Sequence, residues 1–124
     1  MKNKILLIED DIFLRKVFSD KLRIEGFNVD MALDGADGLL KIKNLRPNLV
    51  LLDLIMPKKN GFEVLEEMKM DNELKKIPVI VLSNLGQDSD VEKVKLLGAA
   101  DYLIKANFSM KEIIKKVKFY LRKL

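Results

Sequence analysis

One run of branched apolar residues limits the folds that this chain can adopt. Residues 49–52 are Leu, Val, Leu and Leu, with no polar interruption, and the run ends at Asp53. A strand without alternation of polar and apolar residues is typical of a parallel sheet covered by helices on both faces. The run therefore predicts an α/β fold with Asp53 at the carboxyl edge of a buried strand.

Four other short segments also have the composition of strands. They are residues 5–8, 27–31, 79–82 and 100–104, and apolar residues at helical spacing follow every strand. Strand and helix thus alternate five times, which favours a parallel sheet with five helices distributed on both faces. Residues 27–31 alternate between apolar and polar side chains, as a half-exposed edge strand does. We therefore predict a five-stranded, flavodoxin-like sheet of order 2-1-3-4-5.

Length and composition predict one domain and exclude several kinds of site. The chain has 124 residues, which suits a single compact domain spanning residues 1–124, with no second domain after the last helix. It contains neither Cys nor His, so disulfides, thiolate chemistry and the usual zinc ligands are excluded. Any metal would be held by oxygen atoms, which favours Mg²⁺, Mn²⁺ or Ca²⁺.

Charge and hydropathy bear on partners and location. The formal charge of +4 and the pI near 9.2 make a nucleic-acid surface conceivable. The densest basic run lies in the last helix: Lys111, Lys115, Lys116, Lys118, Arg122 and Lys123. We interpret it as a solvated helix face and expect no direct contact with nucleic acid. No apolar run is long enough for a membrane span or a signal peptide, so we expect a cytoplasmic protein with no membrane partner.

Polar side chains follow four of the five predicted strands at the same sheet edge. They are Glu9 and Asp10 after the first strand, Asp53 after the third, Ser83 after the fourth and Lys105 after the fifth. Singly, each has a structural explanation, such as a turn carboxylate or a simple ion pair. Together they indicate a site, because clustered carboxylates repel one another unless a cation such as Mg²⁺ relieves the repulsion. We assign Asp11, next in the chain, to a helix N-cap.

Phosphoryl transfer is the chemistry that this group of residues permits. A carboxylate can act as a nucleophile and form an aspartyl phosphate, and the protein supplies mostly positioning and charge neutralisation. We predict Asp53 as the nucleophile, with the metal between Asp10, Asp53 and a phosphoryl oxygen. Lys105 and the hydroxyl of Ser83 would contact the other phosphoryl oxygens. The donor must be another molecule, because the chain has no His to be phosphorylated.

These residues resemble those of the response-regulator receiver domains of two-component signalling, of the chemotaxis-regulator type. The matching motifs are Glu9-Asp10-Asp11, the segment from Asp53 to Pro57 with Asn60-Gly61, Ser83, and Tyr102 with Lys105. The resemblance covers essentially the whole chain. It implies that Asp53 is phosphorylated and that Glu9, Asp10 and the main-chain carbonyl of Ile55 help to hold Mg²⁺, or Mn²⁺ in its place. It also implies that Ser83 and Tyr102 form a switch.

The resemblance further implies the partners of the protein. The phosphoryl donor would be a phosphohistidine on a sensor histidine kinase or a phosphotransfer protein. The output would be a target protein that binds the surface formed by the fourth helix, the fifth strand and the last helix. The chain would be a monomer or a phosphorylation-dependent dimer. It would not be an enzyme, beyond catalysing its own phosphorylation and dephosphorylation.

Two positions depart from the usual pattern of the family. The acidic pair begins with Glu9 rather than Asp, a variant that the family also shows. Lys105 is followed by Ala106, where the family usually has a proline after a cis peptide bond. We predict that the Lys105–Ala106 bond is nevertheless cis, although a non-proline cis bond costs about 2.5–4 kcal/mol.

Three other functions compete with the phosphoacceptor hypothesis. A Mg²⁺-dependent phosphohydrolase would need a second acid near Asp53, where the sequence has Leu54 and Ile55. A flavin-binding module of the same sheet order would need a Ser-, Thr- or Gly-rich phosphate loop where Glu9 and Asp10 stand. An interaction module that is not phosphorylated would have no use for the complete set of site residues.

Overall fold

The computed structural model describes residues 3–85 and 87–122, in which five parallel strands and five α-helices alternate. Lys123 of the predicted basic run lies outside the described residues. The strands are β1 (Lys4–Ile8), β2 (Asn28–Ala32), β3 (Leu49–Leu52), β4 (Val79–Ser83) and β5 (Asp101–Ile104). The helices are α1 (Ile12–Ile24), α2 (Gly35–Leu45), α3 (Gly61–Lys69), α4 (Asp88–Leu96) and α5 (Met110–Arg122). Short 3₁₀ turns occupy Leu74–Lys76 and Lys105–Asn107.

The sheet has the order β2-β1-β3-β4-β5, which confirms the predicted topology. β3 is the central strand, and all four of its residues are buried. β2 lies at one edge, and it contains both buried and exposed positions, in agreement with its mixed sequence pattern. The two strands that precede the acidic residues, β1 and β3, are therefore direct neighbours.

The helices cover both faces of the sheet, as predicted. Leu49 and Leu51 of β3 pack on one side with buried residues of α1 and α5. Val50 and Leu52 pack on the other side with buried residues of α2, α3 and α4. Burial on both faces is the reason that β3 has no polar position before Asp53. Within the described residues, no helix is long and apolar enough to cross a membrane.

The predicted cap of α1 is present, and α5 also begins with side-chain caps. The carboxylate of Asp11 accepts a hydrogen bond from the main-chain N–H of Leu14 at 3.0 Å, so Asp11 is an N-cap. Before α5, the main-chain N–H of Ser109 donates to Glu112 at 3.1 Å. The main-chain N–H of Glu112 donates to the Ser109 hydroxyl at 3.2 Å, which completes a capping box.

Removing the Ser109 hydroxyl is expected to destabilise the protein modestly. Ser109→Ala leaves the N–H of Glu112 without its cap, which should lower the free energy of unfolding by about 1 kcal/mol. Ser89→Ala is the matched control, because Ser89 is exposed and its substitution should change stability by less than about 0.5 kcal/mol. Urea denaturation curves of the two variants measure this difference. Equal midpoints would show that the capping box contributes nothing.

Candidate functional site

Three carboxylates meet at the carboxyl edge of the sheet. Ile8 of β1 pairs with Leu52 of β3, so the residues that follow, Glu9 and Asp53, leave the sheet at the same level. One carboxylate oxygen each of Glu9, Asp10 and Asp53 lies within 4.8 Å of the others. Glu9 and Asp53 are buried, whereas Asp10 is exposed. The exposed Asp10 leaves this group of acids open to solvent. We call the three carboxylates the acidic pocket, which a small cation can enter.

Lys105 follows the edge strand β5, and its side chain extends to this group of carboxylates. Its amino group lies 2.5 Å from Oε1 of Glu9 and 3.4 Å from Oδ2 of Asp53. β5 is separated from β3 by β4, so a long side chain is needed to cover the distance. Burial disfavours the charge of Lys105, but the hydrogen bond from Lys105 to Glu9 and the charge of Asp53 outweigh burial and raise its pKa. Lys105 is therefore a fixed positive charge within the acidic group.

The donor atoms of the pocket suit a divalent cation. Burial raises the pKa of Glu9 to about 7, against the opposing hydrogen bond from Lys105, and the charge of Asp53 raises it further. Glu9 and Asp53 therefore repel each other, and a divalent cation bound beside Lys105 would offset this repulsion. Since all side-chain donors are oxygen atoms, the group fits Mg²⁺ or Mn²⁺.

The acidic residues are held by main-chain contacts that the sequence pattern did not reveal. The N–H of Asp11 donates to Oε2 of Glu9 at 3.2 Å. The guanidinium of Arg15, one turn into α1, donates to the main-chain carbonyl of Glu9 at 2.8 Å and lies 3.5 Å from that of Asp10. The only sequence signal for this contact was a basic residue one helical turn after the Asp11 cap. Many surface helices have such a residue, so the signal did not single out Arg15.

The side chain of Asp53 is oriented by its own strand end. Its Oδ1 accepts the main-chain N–H of Leu54 at 2.8 Å, which leaves Oδ2 toward Lys105. The N–H of Asp53 donates to the carbonyl of Ile8 at 3.1 Å and continues the ladder between β1 and β3. The Ile55 side chain is 60% exposed. The role of its main-chain carbonyl as a metal ligand stays a prediction.

Ser83 and Tyr102 are joined through the loop after β4. Ser83 is buried at the end of β4, and its hydroxyl lies 3.4 Å from the main-chain N–H of Leu85. Tyr102 is buried too, and its hydroxyl donates to the main-chain carbonyl of Leu85. Burial, followed by the charge of Asp90, raises the pKa of Tyr102. Tyr102 is thus a buried ring whose hydroxyl is hydrogen-bonded within the protein.

The prediction of a cis peptide bond between Lys105 and Ala106 is wrong. The described residues contain no cis peptide bond. Without proline the trans form is favoured by a few kcal/mol, and a 3₁₀ turn over Lys105–Asn107 takes the chain out of β5. The side chain of Lys105 still reaches Glu9 and Asp53 with this backbone.

The fold and the site together define a class of protein. A doubly wound sheet with an acidic group that could hold a cation, a partly buried Lys and a hydroxyl at one carboxyl edge is the arrangement of a phosphoacceptor signalling domain. The chain belongs to the response regulator receiver domain family, whose sequence model matches residues 5–118.

Curated relatives agree with this family. The chain is 40% identical over 121 residues to a transcriptional regulatory protein CpxR homolog of Haemophilus influenzae, covering 98% of this chain and 51% of the relative. It is 37% identical over 120 residues to the DNA-binding dual master transcriptional regulator RpaA of a Synechocystis strain, covering 97% of this chain and 49% of the relative. The chain thus spans about half the length of these relatives.

Solved structures share the whole fold. The receiver domain of the Francisella response regulator 1452 superposes with a TM-score of 0.91 at 27% identity, covering 98% of each chain. The chemotaxis response regulator CheY4 of Vibrio cholerae superposes with a TM-score of 0.89 at 27% identity, covering 97% of this chain and 99% of that one. The chain is therefore a receiver domain of a response regulator.

Proposed function

We propose that Asp53 accepts a phosphoryl group from a phosphohistidine on a sensor histidine kinase or a phosphotransfer protein. The observation that carries this proposal is the position of Lys105, whose amino group bridges Glu9 and Asp53. A partly buried Lys in contact with two carboxylates places a fixed positive charge beside Asp53. This is the electrostatic arrangement that phosphoryl transfer to a carboxylate requires.

The residues of the chain divide the work of the transfer. Oδ2 of Asp53 attacks phosphorus, the P–N bond of the phosphohistidine breaks, and its electron pair leaves with the imidazole. Lys105 offsets negative charge on one phosphoryl oxygen, and the Ser83 hydroxyl donates to another. Glu9, Asp10, Asp53 and the carbonyl of Ile55 would hold Mg²⁺, or Mn²⁺ in its place. A bound divalent ion neutralises charge between the carboxylates and the phosphoryl oxygens.

Exposed apolar side chains beside the acidic edge support docking of the donor protein there. Ile12 and Phe13, directly after the acidic residues, are 75% and 73% exposed. Ile55, two residues after Asp53, is 60% exposed. Large apolar side chains around a catalytic edge are typical of a surface that binds a protein partner. We infer that a donor protein covers these residues while its phosphohistidine faces Asp53.

The phosphorylated state is proposed to act through the α4-β5-α5 surface. A phosphoryl group adds about −1.5 to −2 charges and new hydrogen-bond acceptors. Ser83 would move toward it and alter the contact between Leu85 and Tyr102, which joins the loop before α4 to β5. The change is a shift between two states of one fold. The proposed target is a protein. Because the relatives are named as transcriptional regulators, we propose control of transcription as the effect of binding this target.

We also infer that residues 1–124 form one receiver domain whose catalysis is limited to its own phosphorylation and dephosphorylation. A phosphohydrolase whose second acid directly follows the nucleophile in the chain lacks support, because the residues after Asp53 are the buried Leu54 and the apolar Ile55. No second acid therefore follows the nucleophile.

Incubation with acetyl phosphate and Mg²⁺ tests the proposal. The intact mass should rise by one phosphoryl group, and tandem mass spectrometry after borohydride reduction should map the modification to Asp53. Chelation of Mg²⁺ by EDTA should prevent the rise, since the carboxylate cluster would then have only Lys105 to offset its charge. Modification at another residue, or no uptake with Mg²⁺ present, would contradict the proposal.

A further inference from the structure

The loop between β3 and α3 is closed on itself. The main-chain N–H of Gly61 donates to the carbonyl of Leu54 at 2.9 Å, and the N–H of Lys59 donates to the carbonyl of Pro57 at 2.8 Å. Lys58, inside this turn, has a left-handed backbone with φ of 66°. The loop begins at the residue after Asp53 and includes Ile55. Its position therefore determines where the phosphoacceptor and the predicted carbonyl ligand lie.

The start of α2 packs directly against this loop. A Cβ atom built on Gly35 would lie 1.8 Å from the main-chain oxygen of Lys59 and 2.6 Å from its carbonyl carbon. Because the neighbour is backbone, it cannot yield by rotating a side chain. Only glycine therefore permits this approach of helix and loop, and Gly35 is buried in the contact.

Asp34 fixes the same contact from the adjacent position. Its side chain is largely buried, and Oδ1 accepts the main-chain N–H of Asp37 at 2.8 Å as the N-cap of α2. The other oxygen, Oδ2, faces the amino group of Lys58 at 3.8 Å. One carboxylate thus connects the first turn of α2 to the tip of the loop.

We propose that Asp34 and Gly35 are positioning residues for the phosphorylation site. Resting on the proposed function, this inference assigns them the task of holding the loop so that Asp53 and the Ile55 carbonyl face the cation. Neither residue is among the groups proposed to hold the metal or to contact the phosphoryl group. Supporting contacts of this kind typically change metal affinity by about 10- to 100-fold when they are removed.

Magnesium binding to the purified chain, measured by isothermal titration calorimetry, tests the inference. Gly35→Ala must displace the loop or the helix, and its Kd for Mg²⁺ should rise at least about tenfold. Gly26→Ala is the matched control: Gly26 has φ of +97°, so alanine is strained there, but nothing lies within 4 Å of its added Cβ. The strain should lower the stability of the Gly26→Ala variant. Because Gly26 follows α1, at the opposite edge of the sheet from the acidic residues, the Kd of this variant for Mg²⁺ should stay within about twofold of the parent's.

A second pair of variants decides the matter if Gly35→Ala does not fold. Asp34→Asn keeps a capping oxygen for α2 but loses the charge that faces Lys58, whereas Asp30→Asn removes one exposed charge from β2. The Kd of Asp34→Asn should exceed that of Asp30→Asn.

Each result has a defined meaning. A folded Gly35→Ala that binds Mg²⁺ with the parent's Kd overturns the inference, and so do equal Kd values for Asp34→Asn and Asp30→Asn when that pair is needed. Failure of the parent itself to bind Mg²⁺ overturns the proposed function and this inference with it.

Discussion

Asp53→Asn is expected to abolish the uptake of a phosphoryl group from acetyl phosphate. An amide is not a nucleophile toward phosphorus, so no acyl phosphate can form at this position. The variant should fold, because the amide oxygen of Asn can still accept the N–H of Leu54 that Oδ1 of Asp53 accepts at 2.8 Å. Intact-mass spectrometry after incubation with Mg²⁺ measures the uptake, and circular dichroism verifies the fold.

Asp11→Asn is the matched control for this substitution. It removes a carboxylate beside the same site, but Asn caps helices as well as Asp does, so α1 should be unaffected. Uptake by Asp11→Asn should proceed to the parent's extent. A phosphorylated Asp53→Asn protein would show that another residue is the acceptor, and loss of uptake in Asp11→Asn would assign a role at the site to Asp11 as well.

Lys105→Met is expected to slow phosphorylation by about 100-fold, the effect of removing one well-placed group that stabilises charge in a transition state. Methionine has nearly the length of lysine but no charge, so it removes the amino group that lies 2.5 Å from Glu9 and 3.4 Å from Asp53. The rate of phosphorylation by acetyl phosphate at fixed Mg²⁺ measures the effect.

Magnesium affinity separates this role of Lys105 from simple damage to the site. Removing a positive charge next to the carboxylates relieves its repulsion of the cation, so Lys105→Met should bind Mg²⁺ at least as tightly as the parent. Lys116→Met is the control, because Lys116 lies on α5 and faces Asp101 at 3.5 Å, outside the acidic pocket. It should be phosphorylated at the parent's rate. If Lys105→Met were phosphorylated at the same rate as Lys116→Met, Lys105 would have no role in the phosphoryl transfer.

The prediction of the fold succeeded because its signals are local. The apolar run before Asp53 indicated a strand buried on both faces, and the alternation of strands and helices restricted the sheet to a few topologies. The Asp11 cap and the Ser109–Glu112 capping box were likewise predictable, because each depends on residues three positions apart.

The site was predictable only as a collection of residues at one sheet edge. Glu9, Asp10 and Asp53 were expected to converge, and their oxygen atoms do lie within 4.8 Å of one another. The contact between Lys105 and Glu9 joins residues 96 positions apart. Its length depends on sheet twist and side-chain reach, which no local pattern encodes. The chemistry of the polar residues at the strand ends predicted the role of Lys105 but not this pairing.

The sequence by itself determined the order of the elements, the strand ends that carry polar groups, and the caps of two helices, because these follow from hydrophobic periodicity and short-range hydrogen bonds. Only the tertiary structure decided that the Lys105–Ala106 bond is trans, that Arg15 holds the carbonyl of Glu9, and that Gly35 lies against Lys59. These features arise from the close packing of segments distant in the chain. Packing at that precision depends on the whole core rather than on any one segment.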